Sequence, residues 1–326
     1  MLGCSEKGKK TDANLPNSSA EQPQNDMPRK PLTLKVVRVE QEMFASKTVE
    51  NIENVLLKHP NFTIDFIKIN EYPSRQTVVN SFYNLVSNPS IDSIYHTCQE
   101  HYGDFYDIGI GLETSFENIK ANFKDFTYPV IYTAITGMGN DMFVNDSMVV
   151  IGLEFFLAEK SHYLPHFPTY ILKRYRKEYI VPHVLMLISN KYNHTDYIDN
   201  SLIAEMIYYG KSYYFVSQVY PALHDSLICG YSASQIADLE KNSNIVWQHF
   251  VDKKLLFETK HEIVNKYIGE RPSVTEIGSK CPGRIGRWLG WQIVKRYMQK
   301  NKDTKLSQLM YMTDARKIFF DSKYKP

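Results

Sequence analysis

A chain of 326 residues is long enough to bury a large core and to form one or two domains. Its 43% hydrophobic and 23% charged residues are ordinary for a globular protein, and a formal net charge of +2 argues against general affinity for nucleic acid. No uninterrupted apolar run approaches the roughly 18 residues that a membrane-spanning helix needs, so no span is predicted.

Aromatic residues and cysteines set two further expectations. The aromatic content of 13%, with 23 Tyr and 17 Phe, predicts a core filled by rings and an aromatic-rich surface groove. The four cysteines are far apart and include no Cys-x-x-Cys pair, so neither a thiolate zinc centre nor a thioredoxin-like centre is predicted. No cofactor is expected.

The chain begins Met1-Leu2-Gly3-Cys4, with an aliphatic and a small residue ahead of a cysteine. This order resembles the end of a bacterial lipoprotein signal, in which the cysteine becomes the lipidated first residue, although the signal's charged start and apolar core do not precede it here. Residues 5–31 contain almost no large apolar side chains and predict a disordered tether, because they cannot bury enough surface to offset the entropy of ordering. We therefore expect a lipid anchor at Cys4, a tether over 5–31 and a globular body over 32–326.

The first half of the body mixes strand and helix patterns. Alternating apolar residues predict strands over 34–39, 129–135 and 148–151, with a turn over 137–141. Apolar residues at helical spacing predict a helix that is capped by Ser46 and ends at Pro60, then helices over 75–87, 89–101 and 104–122. The strands are few and close together, so we expect a small antiparallel sheet beside many helices, an α+β fold.

From residue 165 onward the pattern is helical. Thr304 and Thr313 are plausible N-caps for the last two helices. The predicted helices cover 178–191, 200–219, 233–251, 259–268, 283–300, 304–312 and 314–321. There is no internal repeat, so one domain over 32–326 is the simplest interpretation, and a division near 160–175 is the alternative.

The stretch 282–298 is the most distinctive part of the sequence. Trp288 and Trp291 are three residues apart and share one helix face. Gly286 and Gly290 are four apart and leave a bare groove, which lets another backbone approach at a cost of about 1 kcal/mol of helix propensity per glycine. The pattern predicts a helix that is buried against a specific neighbour.

The same helix carries Arg284 and Arg287 on one face, after Gly283. Both guanidinium groups can form forked bonds to carboxylates or phosphates. Two interpretations follow: a packing helix whose arginines bind neighbouring acids, or a ligand or partner site.

Gly210-Lys211-Ser212 superficially matches the end of a phosphate-binding loop. That motif requires a glycine five positions before Gly210, where Glu205 stands, and a strand before the loop, where the pattern is helical. Nucleotide binding is therefore not predicted. Lys211 is interpreted as a helix-surface cation or the partner of a buried acid.

His183 is the histidine with the strongest case for metal chemistry. A zinc peptidase would have Glu at the position of Val184 and a second His at that of Leu187, so that two imidazoles share a helix face beside a general base. Both groups are absent, and Glu205 alone does not complete a site. No metal is expected.

Four segments together resemble the gliding-motility lipoprotein B family of gliding bacteria. They cover 282–294; 206–211 with Tyr214, Phe215 and Pro221; 150–154; and 322–326. The resemblance spans roughly 34–326 and agrees with the lipoprotein-like start. It implies a body similar to predicted zinc peptidases, a zincin-like fold, in which the metal-binding His-Glu-x-x-His pair is absent.

The resemblance implies a non-catalytic structural or assembly role in gliding motility and its associated secretion machinery. The expected partners are a lipid anchor in the membrane and other proteins of these machineries, with neither nucleic acid nor nucleotide. Residues 5–10 are basic rather than acidic, which favours a periplasm-facing location in the cell envelope. The alternatives are a residual zincin-type hydrolase that uses His183 and Glu205, or an envelope glycan- or peptide-binding module.

Overall fold

The computed structural model places four short strands in one mixed sheet with the order β1-β2-β4-β3. The strands are β1 Val36–Arg38, β2 Val130–Ala134, β3 Met142–Val144 and β4 Met148–Gly152. β1 and β2 are parallel, as are β2 and β4, while β3 and β4 are antiparallel. The structure describes residues 31–157 and 164–326, so Cys4 and almost all of the predicted tether lie outside the described residues.

The expectation of an antiparallel sheet is therefore wrong. The strand missing from the sequence prediction is β3, which reverses the chain after the turn and forms a hairpin with β4. β4 consequently returns parallel to β2. All five residues of β4 are buried, as is usual for a strand covered on both faces.

Helices of the first half surround this sheet. They are α1 Val39–Ala45, α2 Val49–Lys58, α3 Arg75–Val86, α4 Pro89–Tyr102 and α5 Tyr106–Asn122, with a π-helical turn over Phe62–Phe66 and 3-10 turns over Ile69–Glu71 and Leu153–Leu157. Val39 begins α1 rather than ending a strand, and Thr48, not Ser46, caps α2 by accepting a hydrogen bond from the Asn51 amide.

The remaining elements are helical, as the spacing predicts. They are α6 Thr169–Leu172, a 3-10 turn Lys177–Tyr179, α7 Ile180–Tyr192, α8 Leu202–Val219, α9 Asp225–Cys229, α10 Ala233–Lys241, α11 Ser243–Asp252, α12 His261–Ile268, α13 Ile285–Lys300, α14 Leu306–Tyr311 and α15 Ala315–Ser322. The single helix predicted over 233–251 is divided into α10 and α11. The N-cap of α14 is Lys305 rather than Thr304, and that of α15 is Asp314 rather than Thr313. Among the described residues, no helix is both long and apolar enough to cross a membrane.

Helix α8 lies at the centre of this half because it is apolar on every side, and buried residues occur around its whole circumference. It crosses α13 where Gly210 faces Gly290. A Cβ atom added to Gly210 would lie 2.5 Å from the carbonyl carbon and oxygen of Gly290, and one added to Gly290 would overlap the carbonyl oxygen of Met206. The close backbone approach predicted for Gly290 is therefore present, and α8 is the partner.

We predict that Gly290→Leu destabilises the protein. Overpacking typically costs about 1–3 kcal/mol, and here the obstacle is the backbone of Met206, which cannot rotate away. This loss exceeds the gain in helix propensity of about 1 kcal/mol from removing a helical glycine. The measurement is a urea titration of the free energy of unfolding.

Gly278→Ala is the matched control. A Cβ atom at Gly278 would have no atom within 4 Å, so this change should leave the urea midpoint almost unaltered. If Gly290→Leu behaves like the control, or raises the midpoint, the two backbones are not in contact in solution.

Candidate functional site

The other two glycines of the 283–290 motif also lie at close approaches. A Cβ atom on Gly283 would overlap the carbonyl oxygen of Arg271, and one on Gly286 would lie 3.1 Å from the carbonyl oxygen of Tyr267. Gly283 and Gly286 therefore admit the backbone at the end of α12 and just after it, whereas Gly290 admits that of α8. The glycines serve packing around the start of α13.

The two tryptophans of the motif are buried, with exposed fractions of 2% for Trp288 and 0% for Trp291. The Trp291 ring packs edge-on against Tyr213, with 5.8 Å between ring centroids. On its other side the Lys295 ammonium lies 3.6 Å from the ring centroid and pairs with Asp225 at 2.8 Å. Both rings thus belong to the core around α13.

Arg287 bonds to backbone and ring rather than to an acid. Its Nε donates to the carbonyl oxygen of Ile268 at 2.7 Å, and its guanidinium lies 4.0 Å from the ring centroid of Tyr209. Arg287 therefore connects the end of α12 to α8. It supports the packing interpretation of the motif.

Arg284 differs from the other motif residues. It is the N-cap of α13, and its φ of 59° puts a non-glycine residue in the left-handed region. Its guanidinium is buried, donates to the carbonyl oxygen of Cys229 at 2.9 Å, and lies 5.7 Å from the ring centroid of Tyr231. Its Nε is 3.6 Å from the nearest carboxylate oxygen of Glu270, an ion-pair distance but longer than a hydrogen bond.

Arg174 lies beside Arg284 and forms hydrogen bonds to both carboxylate oxygens of Glu270. Its two terminal nitrogens donate to the two carboxylate oxygens at 3.1 and 2.7 Å. Burial and repulsion from Arg284 lower the pKa of Arg174, and Glu270 opposes that shift. Gly230, with a φ of 67°, leaves room for both guanidinium groups, because a Cβ there would overlap Arg174 and lie 3.0 Å from a terminal nitrogen of Arg284.

Arg284, Glu270 and Gly230 line a polar cavity of about 510 Å³, which we call the Arg284 pocket, whereas Arg174 lies behind Glu270 and does not line it. Four of its lining residues are cationic and one is acidic: Lys173, Arg176, Arg271, Arg284 and Glu270. Tyrosine rings complete the walls, and the Tyr231 hydroxyl donates to the carbonyl oxygen of Gly283 at 2.6 Å. The pocket is a cationic concavity at the start of α13.

His183 lies on α7 among aromatic rings. Its ring centroid is 5.8 Å from that of Phe156 and about 6 Å from those of Tyr175 and Tyr179. Burial, together with the positive charges of Arg174 and Arg284, lowers the pKa of His183 to about 3. The imidazole is therefore neutral at neutral pH, and the two nearby guanidinium groups would repel a metal cation.

Glu205 has a different electrostatic environment. Burial raises the pKa of its carboxyl group, and the charge that opposes this shift is that of Arg287 on α13. Within 31–157 and 164–326, no group of three or more His, Cys, Asp or Glu side chains is placed to hold a metal ion.

The family-like segment 150–154 ends in a buried carboxylate. Glu154 is inaccessible to solvent and accepts hydrogen bonds from the Thr136 amide at 2.6 Å, the Thr136 hydroxyl at 2.7 Å and the Met138 amide at 3.2 Å. Burial raises the pKa of Glu154 in spite of these donors. Its contacts fix the turn between β2 and β3, which is a structural role.

The aromatic-rich groove predicted from composition corresponds to a second cavity, of about 300 Å³. Rings from the π-helical turn and α3 form much of its wall beside the end of β2: Phe62, Phe66, Tyr72 and Phe82. None of its described lining residues is charged, in contrast to those of the Arg284 pocket. It offers apolar contact rather than chemistry.

Sequence reasoning missed Arg174, Glu270 and Gly230. The available signal was the basic run Lys173-Arg174-Tyr175-Arg176, which stands out in a chain of nearly balanced charge. The pairing of Arg174 with Glu270 could not be predicted, because 96 residues separate the two in the sequence.

Lys211 is neither a surface cation nor the partner of an acid, so that interpretation is wrong. It is 2% exposed, and its ammonium donates to three backbone carbonyls, those of His194 at 2.5 Å, Met312 at 2.7 Å and Met310 at 3.2 Å. It therefore joins α8 to the loop after α7 and to the end of α14. Burial lowers the pKa of Lys211 to about 7.

This pKa predicts a pH-dependent contribution to stability. The unfolded chain holds the Lys211 proton up to its ordinary pKa of about 10.4, whereas the folded chain releases it near 7. Between these values the unfolded state binds more protons, so this group makes the protein more stable as pH rises. Wild type should gain about 1.5 kcal/mol from Lys211 between pH 7 and 8.5, a gain that Lys211→Met lacks.

Urea titrations of both proteins at the two pH values measure this difference. Lys302→Met, which alters an exposed lysine, is the control and should follow wild type. A cost of Lys211→Met that does not change with pH would mean that the three carbonyls keep the amine protonated.

A comparison with protein families places the chain among proteins associated with gliding motility. A family model described as "Gliding motility protein GldB" (GldB_lipo) matches residues 20–326. The chain belongs to the GldB family, which confirms the resemblance drawn from the four segments. No curated protein and no solved structure matches.

Proposed function

We propose that this protein is a cell-envelope lipoprotein, anchored through Cys4, with a structural or assembly role in gliding motility and its associated secretion machinery. The observation that carries the proposal is the family match over 20–326. The periplasm-facing location is part of the proposal and is supported by the basic residues 5–10. Its partners would be other proteins of these machineries.

The contacts of the motif residues support a role without catalysis. The glycines at 283, 286 and 290 admit neighbouring backbone or side chains, and Trp288 and Trp291 fill the core. A motif whose residues all serve packing maintains the shape of the folded protein. We infer that the shape is what the motility machinery recognises.

The residual-hydrolase alternative has weaker support. A zincin-like body would place its metal on the helix of His183, but the neighbours of that imidazole are three rings and two guanidinium groups. A zincin-like fold remains part of the proposal only through the family's resemblance to peptidases. The binding-module alternative is favoured by one observation, the Arg284 pocket.

We predict that anchoring depends on Cys4. In a strain that lacks the endogenous gene, a version with a complete signal peptide should incorporate radioactive fatty acid and restore spreading colonies. Cys4→Ala should lose the label and leave the membrane fraction, because the modified thiol is gone, and spreading should fail. Ser5→Ala is the control and should label normally. Equal labelling of Cys4→Ala and wild type would place the anchor elsewhere.

We also predict that Glu205→Gln restores spreading as well as wild type, because a non-catalytic role does not need that carboxylate. Zinc analysis of the purified protein accompanies the motility assay, with His183→Gln as the second variant. Stoichiometric zinc that is lost in His183→Gln, together with loss of spreading in Glu205→Gln, would replace the assembly role with the hydrolase.

A further inference from the structure

We propose that the Arg284 pocket binds the anionic group, a carboxylate or a phosphate, of a small ligand. This inference goes beyond the assembly role, and either can hold without the other. Four cationic side chains and one carboxylate line the cavity. Arg176 is paired with Glu178 at 3.1 Å, and the other lining cations, Lys173, Arg271 and Arg284, outnumber the one lining carboxylate, that of Glu270.

Two guanidinium groups share the carboxylate of Glu270, and of these only that of Arg284 lines the pocket. Arg174 and Arg284 are both mostly buried, with side-chain exposures of 13% and 9%, and they share the single carboxylate of Glu270. Arg174 takes both oxygens in a forked pair, so Arg284 is left with an approach of 3.6 Å. A guanidinium removed from water without a full counter-charge favours a further anion.

The backbone of Arg284 points to the same conclusion. Arg284, with a φ of 59°, is one of six non-glycine residues with positive φ among the described residues, and of these six it alone lines the pocket. The loop before it is held by an isolated bridge between Ser273 and Pro282 and by the Val274 amide, which donates to Cys281 at 2.9 Å. The chain thus maintains a strained residue whose guanidinium lines the pocket.

Helix α13 adds to the attraction. Arg284 is its N-cap, and the first turn of a helix of 16 residues presents amide groups and the positive end of the helix dipole. Pro282, Gly283 and the N-cap Arg284, which lead into the helix, all line the cavity, so the cavity lies next to this helix end. The dipole and the guanidinium groups therefore favour the same sign of charge in one place.

The shape limits the class of ligand. A cavity of about 510 Å³ admits a group of the size of an acidic sugar or an amino acid, and excludes a duplex nucleic acid. The pocket walls also include Tyr170, Tyr179 and Tyr231, whose rings can pack against the carbon skeleton of such a ligand. A metal cation is disfavoured by the excess of positive charge.

Lys173 gives the proposal a test that spares the fold. Its side chain is exposed, and no carboxylate of the described residues lies within ion-pair distance of it. Arg271 is half-buried and donates to the Lys266 carbonyl at 3.2 Å. Neutral substitutions at these two positions remove charge from the pocket without touching its buried base.

The experiment is calorimetric titration of the full chain with sodium phosphate, sodium glucuronate and neutral glucose, with ionic strength held constant by sodium chloride. Wild type should bind at least one of the two anions saturably and should not bind glucose. Lys173→Gln should weaken that binding about two- to fivefold, as expected for an exposed charge pair, and Arg271→Gln should act in the same direction. Arg284→Lys should weaken it tenfold or more, because the forked donor is lost.

Lys302→Gln is the matched control, since Lys302 is exposed and lies beyond the far end of α13. Binding of phosphate alone or glucuronate alone identifies the anionic group. Absence of saturable binding of both, or an equal loss in Lys302→Gln, would overturn the proposal. If Arg284→Lys does not fold, Lys173→Gln and Arg271→Gln decide the matter. The lipid-labelling and motility assays do not involve the pocket, so their outcome is separate.

Discussion

The contact between the backbones of α8 and α13 is the constraint on which much of this structure depends. Two helices can approach this closely only where both lack side chains, and Gly210 and Gly290 supply that condition on opposite sides. Once the axes are fixed, the positions of Trp291 and Tyr213 follow, because they pack edge-on beside the crossing. The same crossing sets where α13 begins, and with it the place of Arg284.

The residues of the motif at 283–290 therefore have two different environments. Its C-terminal part, with Trp288, Gly290 and Trp291, is committed to the core. Its N-cap residue, Arg284, has a left-handed φ and lines a cavity together with Glu270, whose carboxylate also pairs with Arg174. The packing residues and the residue proposed to bind an anion are thus separated along about two turns of helix, so substitutions at each position test one role.

The helices and the glycine contact could be predicted from sequence because both depend on local spacing. The sheet could not, since β3 is only three residues long and its presence turns an apparent hairpin of β2 and β4 into a parallel pair. Lys211 was misread because its partners are carbonyl oxygens far along the chain, and a backbone acceptor leaves no mark in the sequence. The Arg284 pocket could be predicted only in part. The sequence pattern indicated Arg284 as a candidate site residue, whereas Glu270 and Gly230 come close to it only through tertiary structure.

The carbonyls that hold the Lys211 ammonium have a consequence for the order of assembly. Two of the three belong to Met310 and Met312, and α15 packs against both α8 and α13. These acceptors are synthesised 99 and 101 residues after Lys211, so the amine of the central helix lacks its full set of acceptors while that stretch is made. Closure of the core around α8 therefore depends on residues 310–312. Before they are made, the earlier helices form an incomplete shell, the kind of intermediate on which chaperones act.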